Sequence, residues 1–173
     1  LANRMPRRDG GIALAHFLSR NGRILGEATV TRITAEQFYL LSAASAELRD
    51  LDHLVQQVQA GEQVEIRNTT EERGVIVLAG PKARDVLSGL TDTSLENADF
   101  PWRTAQQVEI AGISTLALRI NYVGELGWEL HPAMADLLAL YAAVWAAGEQ
   151  HGIADFGLYA MNSLRMEKGY RGW

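Results

Sequence analysis

The chain has 173 residues, 47% of them apolar and 21% charged, with a formal net charge of −5. This suits an ordinary globular core and excludes the Lys/Arg density of a nucleic-acid footprint. It contains no cysteine, which excludes disulfides, thiolate metal sites and cysteine nucleophiles. No apolar run nears the ~20 residues of a membrane helix, and Leu1-Ala2-Asn3-Arg4 lacks a secretory pattern, so the expectation is a cytoplasmic protein without membrane or nucleic-acid partners.

In chain order, Ile12 to Leu18 and Ile24 to Ile33 are strand-like runs. Ser19-Arg20-Asn21-Gly22 between them predicts a tight hairpin with positive φ angles. Phe38 to Leu41 is a short apolar strand, and Ser45 is a candidate cap for a helix whose apolar face is Leu48, Leu51, Leu54, Val55 and Val58. Strands are predicted at Gln63 to Arg67 and Val75 to Leu78. Gly80-Pro81 then opens a helix through Ala83, Val86, Leu87 and Leu90. After a polar loop, Val108 to Ile110 and Ser114 to Ile120 flank Ala111-Gly112 as a second hairpin, and Trp128 to His131 adds a strand. A helix over about Ala133 to Glu149 carries the stripe Leu137, Leu138, Leu140, Tyr141, Val144 and Trp145, with Gly152 beyond its end. A last helix runs from near Gly157-Leu158 to Lys168. The fold class is α+β, with antiparallel sheets built from hairpins and helices packed on them. One domain is the default, and the ends, without Met at the start and with a patterned segment just before Trp173, read as those of an excised fragment.

The segment from Asn121 to Glu129 is the richest in chemistry, because two glycines in a turn gather aromatic and acidic side chains. Alternation along an extended strand sends Trp128 and Glu129 to opposite sides. With Trp128 in the core, Glu129 faces either solvent or a pocket, where its carboxylate could accept two parallel N–H donors. Glu27, Thr29 and Thr31 share one face of the second strand, and from pattern alone a polar solvent face is the simpler reading. Glu167 and Lys168 read as a solvated terminus. The four histidines, His16, His53, His131 and His151, have no metal-ligand spacing, so no metal is expected. There is no dinucleotide fingerprint and no Gly-x-Ser-x-Gly. Gly80-Pro81-Lys82-Ala83-Arg84 reads as a plain helix entry rather than an anion site.

Four stretches carry a family resemblance: Gly22-Arg23-Ile24-Leu25-Gly26-Glu27, Gly80-Pro81-Lys82-Ala83, Tyr122-Val123-Gly124-Glu125-Leu126-Gly127-Trp128-Glu129 and Ala160-Met161-Asn162-Ser163-Leu164-Arg165-Met166-Glu167. In their order and spacing the chain resembles the aminomethyltransferase (glycine-cleavage T-protein) family of folate-binding domains. By that resemblance Glu129 stands at the pterin-binding glutamate, and Tyr122 and Thr29 stand at folate-contacting positions. Glu27 stands where the family has an aspartate that assists methylene transfer, one methylene longer. Met161 replaces an arginine of the glycine-cleavage enzymes. That departure points to another branch: Leu1 to Pro6, Glu27-Ala28-Thr29-Val30-Thr31-Arg32 and Ala160 to Trp173 together look like the C-terminal region of FAD-dependent dimethylglycine and sarcosine dehydrogenases.

The resemblance implies a partial domain over residues 1–173 that binds tetrahydrofolate and traps an iminium carbon, derived from an N-methyl amine, as methylene-tetrahydrofolate. FAD is expected only in a domain upstream, and the location is the cytoplasm, or the mitochondrial matrix in a eukaryote. Alone, this stretch is expected to bind folate weakly and catalyse little. Two other readings stay open: a folate-free docking domain of a flavoprotein, and a folate-dependent demethylase.

Overall fold

A computed structural model describes residues 2 and 4–172; Leu1, Asn3 and Trp173, which the resemblance above includes, lie outside the described residues. The chain resolves into two compact units, one up to Thr69 and the other over Thr70–Gly172.

In the first unit β1 (Ile12–Leu18), β2 (Ile24–Arg32) and β3 (Phe38–Ser42) form an antiparallel sheet in that order, followed by helix α1 (Glu47–Gln57). The β1–β2 turn is closed by Ser19 N–H to Arg23 C=O (2.8 Å) and Gly22 N–H to Ser19 C=O (3.0 Å). Of Asn21 and Gly22 only Gly22 has positive φ, at 79°. The connection is therefore a three-residue loop ending in a left-handed glycine, rather than a two-residue turn with both centres left-handed.

Period-two alternation divides this sheet except at its Ile12–Thr31 end, where both residues of the pair are buried on the more open face. Ala13, Ala15, Phe17, Gly26, Ala28 and Val30 share one face and are all buried. Helix α1 packs on that side, where the Phe17 and His53 rings lie 5.3 Å apart and a Cβ on Gly26 would meet the Asp50 and Arg49 side chains. The other face carries Leu14, His16, Glu27, Thr29, Tyr39 and Leu41.

Helix α1 departs from expectation at its start and on its apolar stripe. Ser45 lies within a one-turn 3-10 helix, Ala44–Ala46, and Ala46 caps α1 with no side-chain bond. Leu48 and Val55 point outward, and Asp50 is the buried residue of the helix. Its Oδ1 accepts from both Arg49 Nε (3.1 Å) and Nη2 (3.0 Å). The strand expected over Gln63 to Arg67 does not form: no partner strand pairs with this segment, and Val64 is exposed.

In the second unit β4 (Ile76–Ala79), β5 (Ala105–Ile110), β6 (Ile113–Leu118) and β7 (Gly127–Pro132) make an antiparallel sheet ordered β4-β7-β6-β5. One face joins α2 (Ala83–Ser88) and α3 (Leu137–Gly148) in a core that includes Leu78, Val86, Leu87, Phe100, Val108, Ile110, Ala117, Trp128, Leu130, Leu140 and Val144. Full burial of such side chains stabilises by about 1.5–3 kcal/mol each. α3 buries the narrow stripe Leu140, Val144 and Gly148, whereas Leu138 and Tyr141, expected in the core, are exposed. Gly152 ends the region in the left-handed conformation, and α4 (Leu158–Glu167) follows. No described helix is long and apolar enough to cross a membrane.

Candidate functional site

The turn from Asn121 to Leu126 is organised by one side chain. Asn121 Oδ1 accepts from the N–H groups of Val123 (3.0 Å) and Gly124 (2.9 Å), while Nδ2 donates to the Glu125 carbonyl (2.7 Å). An Asx side chain that replaces backbone partners in this way fixes a turn without a regular ladder. Gly124 takes φ 74°, and a Cβ there would press on the Lys168 side chain, whose Nζ lies 3.1 Å from Glu125 Oε1. Val123 is buried and anchors the turn.

Tyr122 is half-buried in this turn. Its hydroxyl donates to the Arg171 carbonyl (3.4 Å), and the Arg165 guanidinium lies 5.5 Å from its ring centroid. Arg165 is in turn held by Asn162 Oδ1 (2.9 Å) and the Tyr170 carbonyl (2.7 Å). The final helix therefore supports Tyr122 through a cation–π contact. Sequence reasoning left Arg165 without that role.

Beyond the turn, β7 alternates. Trp128 is fully buried, edge-on to Phe100 at 6.2 Å and beneath the Arg119 guanidinium at 5.6 Å. Burial, reinforced by Arg84, lowers the Arg119 pKa from its usual value, with Glu96 opposing. Arg119 donates to the Phe100 carbonyl and to Asn97 Oδ1.

Glu129 projects from the opposite face of β7, between Val77 on β4 and Leu118 on β6, which pair with it directly. Its side chain is 19% exposed, and among the described residues no hydrogen bond reaches its carboxylate. The nearest polar neighbour is the buried His131, with Nε2 3.6 Å from Oε2. Two residues on in the same strand, His131 shares this face by period two. A carboxylate so placed keeps its acceptor sites open in partly apolar surroundings, where hydrogen bonds are strengthened.

In the first unit Glu27 and Thr29 are half-buried on the face away from α1. Glu27 is not isolated, because Oε2 lies 3.0 Å from His16 Nε2 across the β1–β2 ladder. Sequence reasoning treated His16 as a lone histidine; its partner is visible only once the register is known. Thus Glu27 and Thr29 belong to the first unit and Glu129 and Tyr122 to the second. Two surface hollows of about 560 and 290 Å3 lie elsewhere and include none of these four residues. Among the described residues no cluster of His, Asp and Glu could hold a metal ion.

Human mitochondrial dimethylglycine dehydrogenase is 41% identical over 173 residues, covering 99% of this chain and 20% of that protein. Mouse mitochondrial sarcosine dehydrogenase is 34% identical over 185 residues, again with 99% and 20% coverage. The chain thus spans about a fifth of the length of these curated relatives. The crystal structure of the glycine cleavage system aminomethyltransferase T from Bartonella henselae superposes with a TM-score of 0.76 at 24% identity, over 94% of this chain and 42% of that one. This confirms the α+β fold as that of the aminomethyltransferases. The family model described as the GCVT N-terminal domain matches residues 1–173, and the chain belongs to that family.

Proposed function

We propose that this domain binds tetrahydrofolate within a flavin-dependent N-methyl amine dehydrogenase, and that it captures the iminium carbon as methylene-tetrahydrofolate. The observation that carries the reading is Glu129: a partly desolvated carboxylate, without a hydrogen bond among the described residues, at the foot of a turn fixed by Asn121. Such a group suits the ring N–H and exocyclic amine of a pterin, which need a two-pronged acceptor on leaving water. The fit is chemical, since among the described residues no hydrogen bond occupies the carboxylate and the His131 Nε2 stands 3.6 Å off.

When bound, tetrahydrofolate supplies N5 and N10, the two nitrogens to which the carbon becomes attached. The remaining tasks fall to this chain. Glu129 holds the pterin edge, Tyr122 offers ring surface, Thr29 offers a hydroxyl, and Glu27 accepts a proton during transfer. Two hydrogens leave the folate nitrogens and end on the released amine, so the conversion needs a proton carrier but no further oxidant. Holding both reactants replaces a bimolecular encounter with an intramolecular one, which outpaces hydrolysis to formaldehyde. FAD belongs to the preceding oxidation and to residues outside this chain. Both mitochondrial relatives suggest a matrix location for a eukaryotic protein of this kind.

The test is product analysis on the full-length protein oxidising an N-methyl amine with tetrahydrofolate present. Recovery of the carbon as methylene-tetrahydrofolate, shifting towards formaldehyde in Glu27→Gln, is expected. Formaldehyde alone from wild type would leave a folate-free docking domain as the better reading.

A further inference from the structure

We propose that His16 is the positioning residue for Glu27: its Nε2–H holds one carboxylate oxygen so that the other is presented for proton transfer. The inference rests on the function proposed above and assigns a part of that site which neither motif nor family match names.

The two residues are directly opposite in the antiparallel β1–β2 ladder, and their side chains meet at 3.0 Å. With Glu27 ionised, the hydrogen of the contact must reside on Nε2, because the carboxylate can only accept. Both side chains are about a third exposed or less, 33% for His16 and 27% for Glu27, so the contact is partly screened from bulk water. Thr29, two residues along, shares this face.

The backbone beneath the pair is fixed from several sides. His16 C=O accepts from the Ala2 N–H at 2.9 Å, so the edge of β1 is covered where His16 stands. On the reverse face Ala15, Ala28, Phe17 and Gly26 are buried under α1. The ladder becomes irregular only beyond Phe17, one residue past the pair.

Glutamate has one more rotatable bond than aspartate, so an unanchored Glu27 would sample several positions around a reacting nitrogen. Misplacement by ~1 Å can slow transfer severely. Binding Oε2 to His16 removes that freedom and leaves Oε1 with both lone pairs available. As a purely structural cross-strand pair, the same contact would steady the hairpin and leave the chemistry unaffected. That difference makes the proposal testable.

The experiment compares His16→Phe and His16→Gln in the full-length protein. It reads the tetrahydrofolate Kd by calorimetry and the share of oxidised carbon escaping as formaldehyde. In [15N]histidine-labelled protein without folate it also reads the His16 imidazole signals before and after Glu27→Gln. The expected result is a ~10-fold rise in the escaping share for His16→Phe, with Kd within about twofold of wild type. Most of the capture should return in His16→Gln, whose amide N–H can reach the same oxygen, and the imidazole signal should move in Glu27→Gln. Unchanged escape in a folded His16→Phe, or a Gln variant no better than Phe, overturns the proposal while leaving the folate reading intact. A wild type that binds no tetrahydrofolate overturns that reading and the role of His16 with it, whatever the imidazole signal shows.

Discussion

Gly127 lies against Leu78 so closely that a Cβ on residue 127 would fall 2.4 Å from the Leu78 carbonyl oxygen, and 2.9 Å from the Ala79 Cα. The second glycine of the turn is therefore a requirement of backbone approach between β7 and β4. It is reinforced by Gly80 N–H to Leu126 C=O at 2.8 Å. From this contact β7 sends Trp128 into the core and Glu129 out on the other side.

Gly127→Ala is accordingly expected to push the two strands apart. A destabilisation of about 1–3 kcal/mol should appear as a lower denaturant midpoint at nearly unchanged slope. Tetrahydrofolate binding should weaken with it, because Glu129 is displaced. Wild-type stability in this variant would show that the close approach is not a constraint.

Ala111 and Gly112 both have positive φ, 52° and 75°, in the hairpin between β5 and β6. An alanine pays a steric cost of roughly 1–2 kcal/mol in that region, which asparagine largely avoids in this turn type. Ala111 is exposed, so Ala111→Asn adds no packing conflict. The expected outcome is a stability gain of about 0.5–1 kcal/mol by denaturant unfolding, with folate binding unchanged.

Tyr141 lies outward on α3 and donates to both oxygens of Asp155, at 3.2 and 3.0 Å. The hydrogen bond to Asp155, chiefly, and burial after it raise the Tyr141 pKa above its ordinary value. Because the folded value lies above the unfolded one, the contribution of this contact is present below the unfolded pKa and is lost as pH rises through the folded one. In an ultraviolet titration of tyrosinate, Asp155→Asn should bring one of the five tyrosines to ionise at lower pH. An identical titration curve would remove Asp155 as the cause.

Where hydrophobic pattern and turn chemistry agree, the fold was legible in the sequence. The bounds of β1, Ile12–Leu18, are those the alternation indicates, and α4 spans nearly the segment expected. Pattern failed where it had two solutions. α3 is apolar around most of its circumference, so spacing could not tell the buried Leu140 and Val144 from the exposed Leu138 and Tyr141. Residues 63–67 alternate like a strand, but alternation cannot supply a neighbouring strand, and this segment joins neither sheet.

At the candidate site, the opposed directions of Trp128 and Glu129 follow from period two alone. The pairings His16 with Glu27 and Arg165 with Tyr122 do not, because one depends on strand register and the other on a helix returning to a turn over 40 residues away. Asp50 was hidden for a related reason, since a charged residue on the inward side of α1 runs against the burial rule unless paired, and its pairing is with its own neighbour Arg49.

Calorimetry of tetrahydrofolate on the full-length protein asks whether Glu129 grips the amine edge of a pterin. Hydrogen bonds to a charged acceptor contribute about 1.5–3 kcal/mol, so Glu129→Gln should weaken binding ~10-fold to ~100-fold while the unfolding midpoint stays close to wild type. Equal affinity in wild type and a folded Glu129→Gln would mean that no pterin is held by this carboxylate.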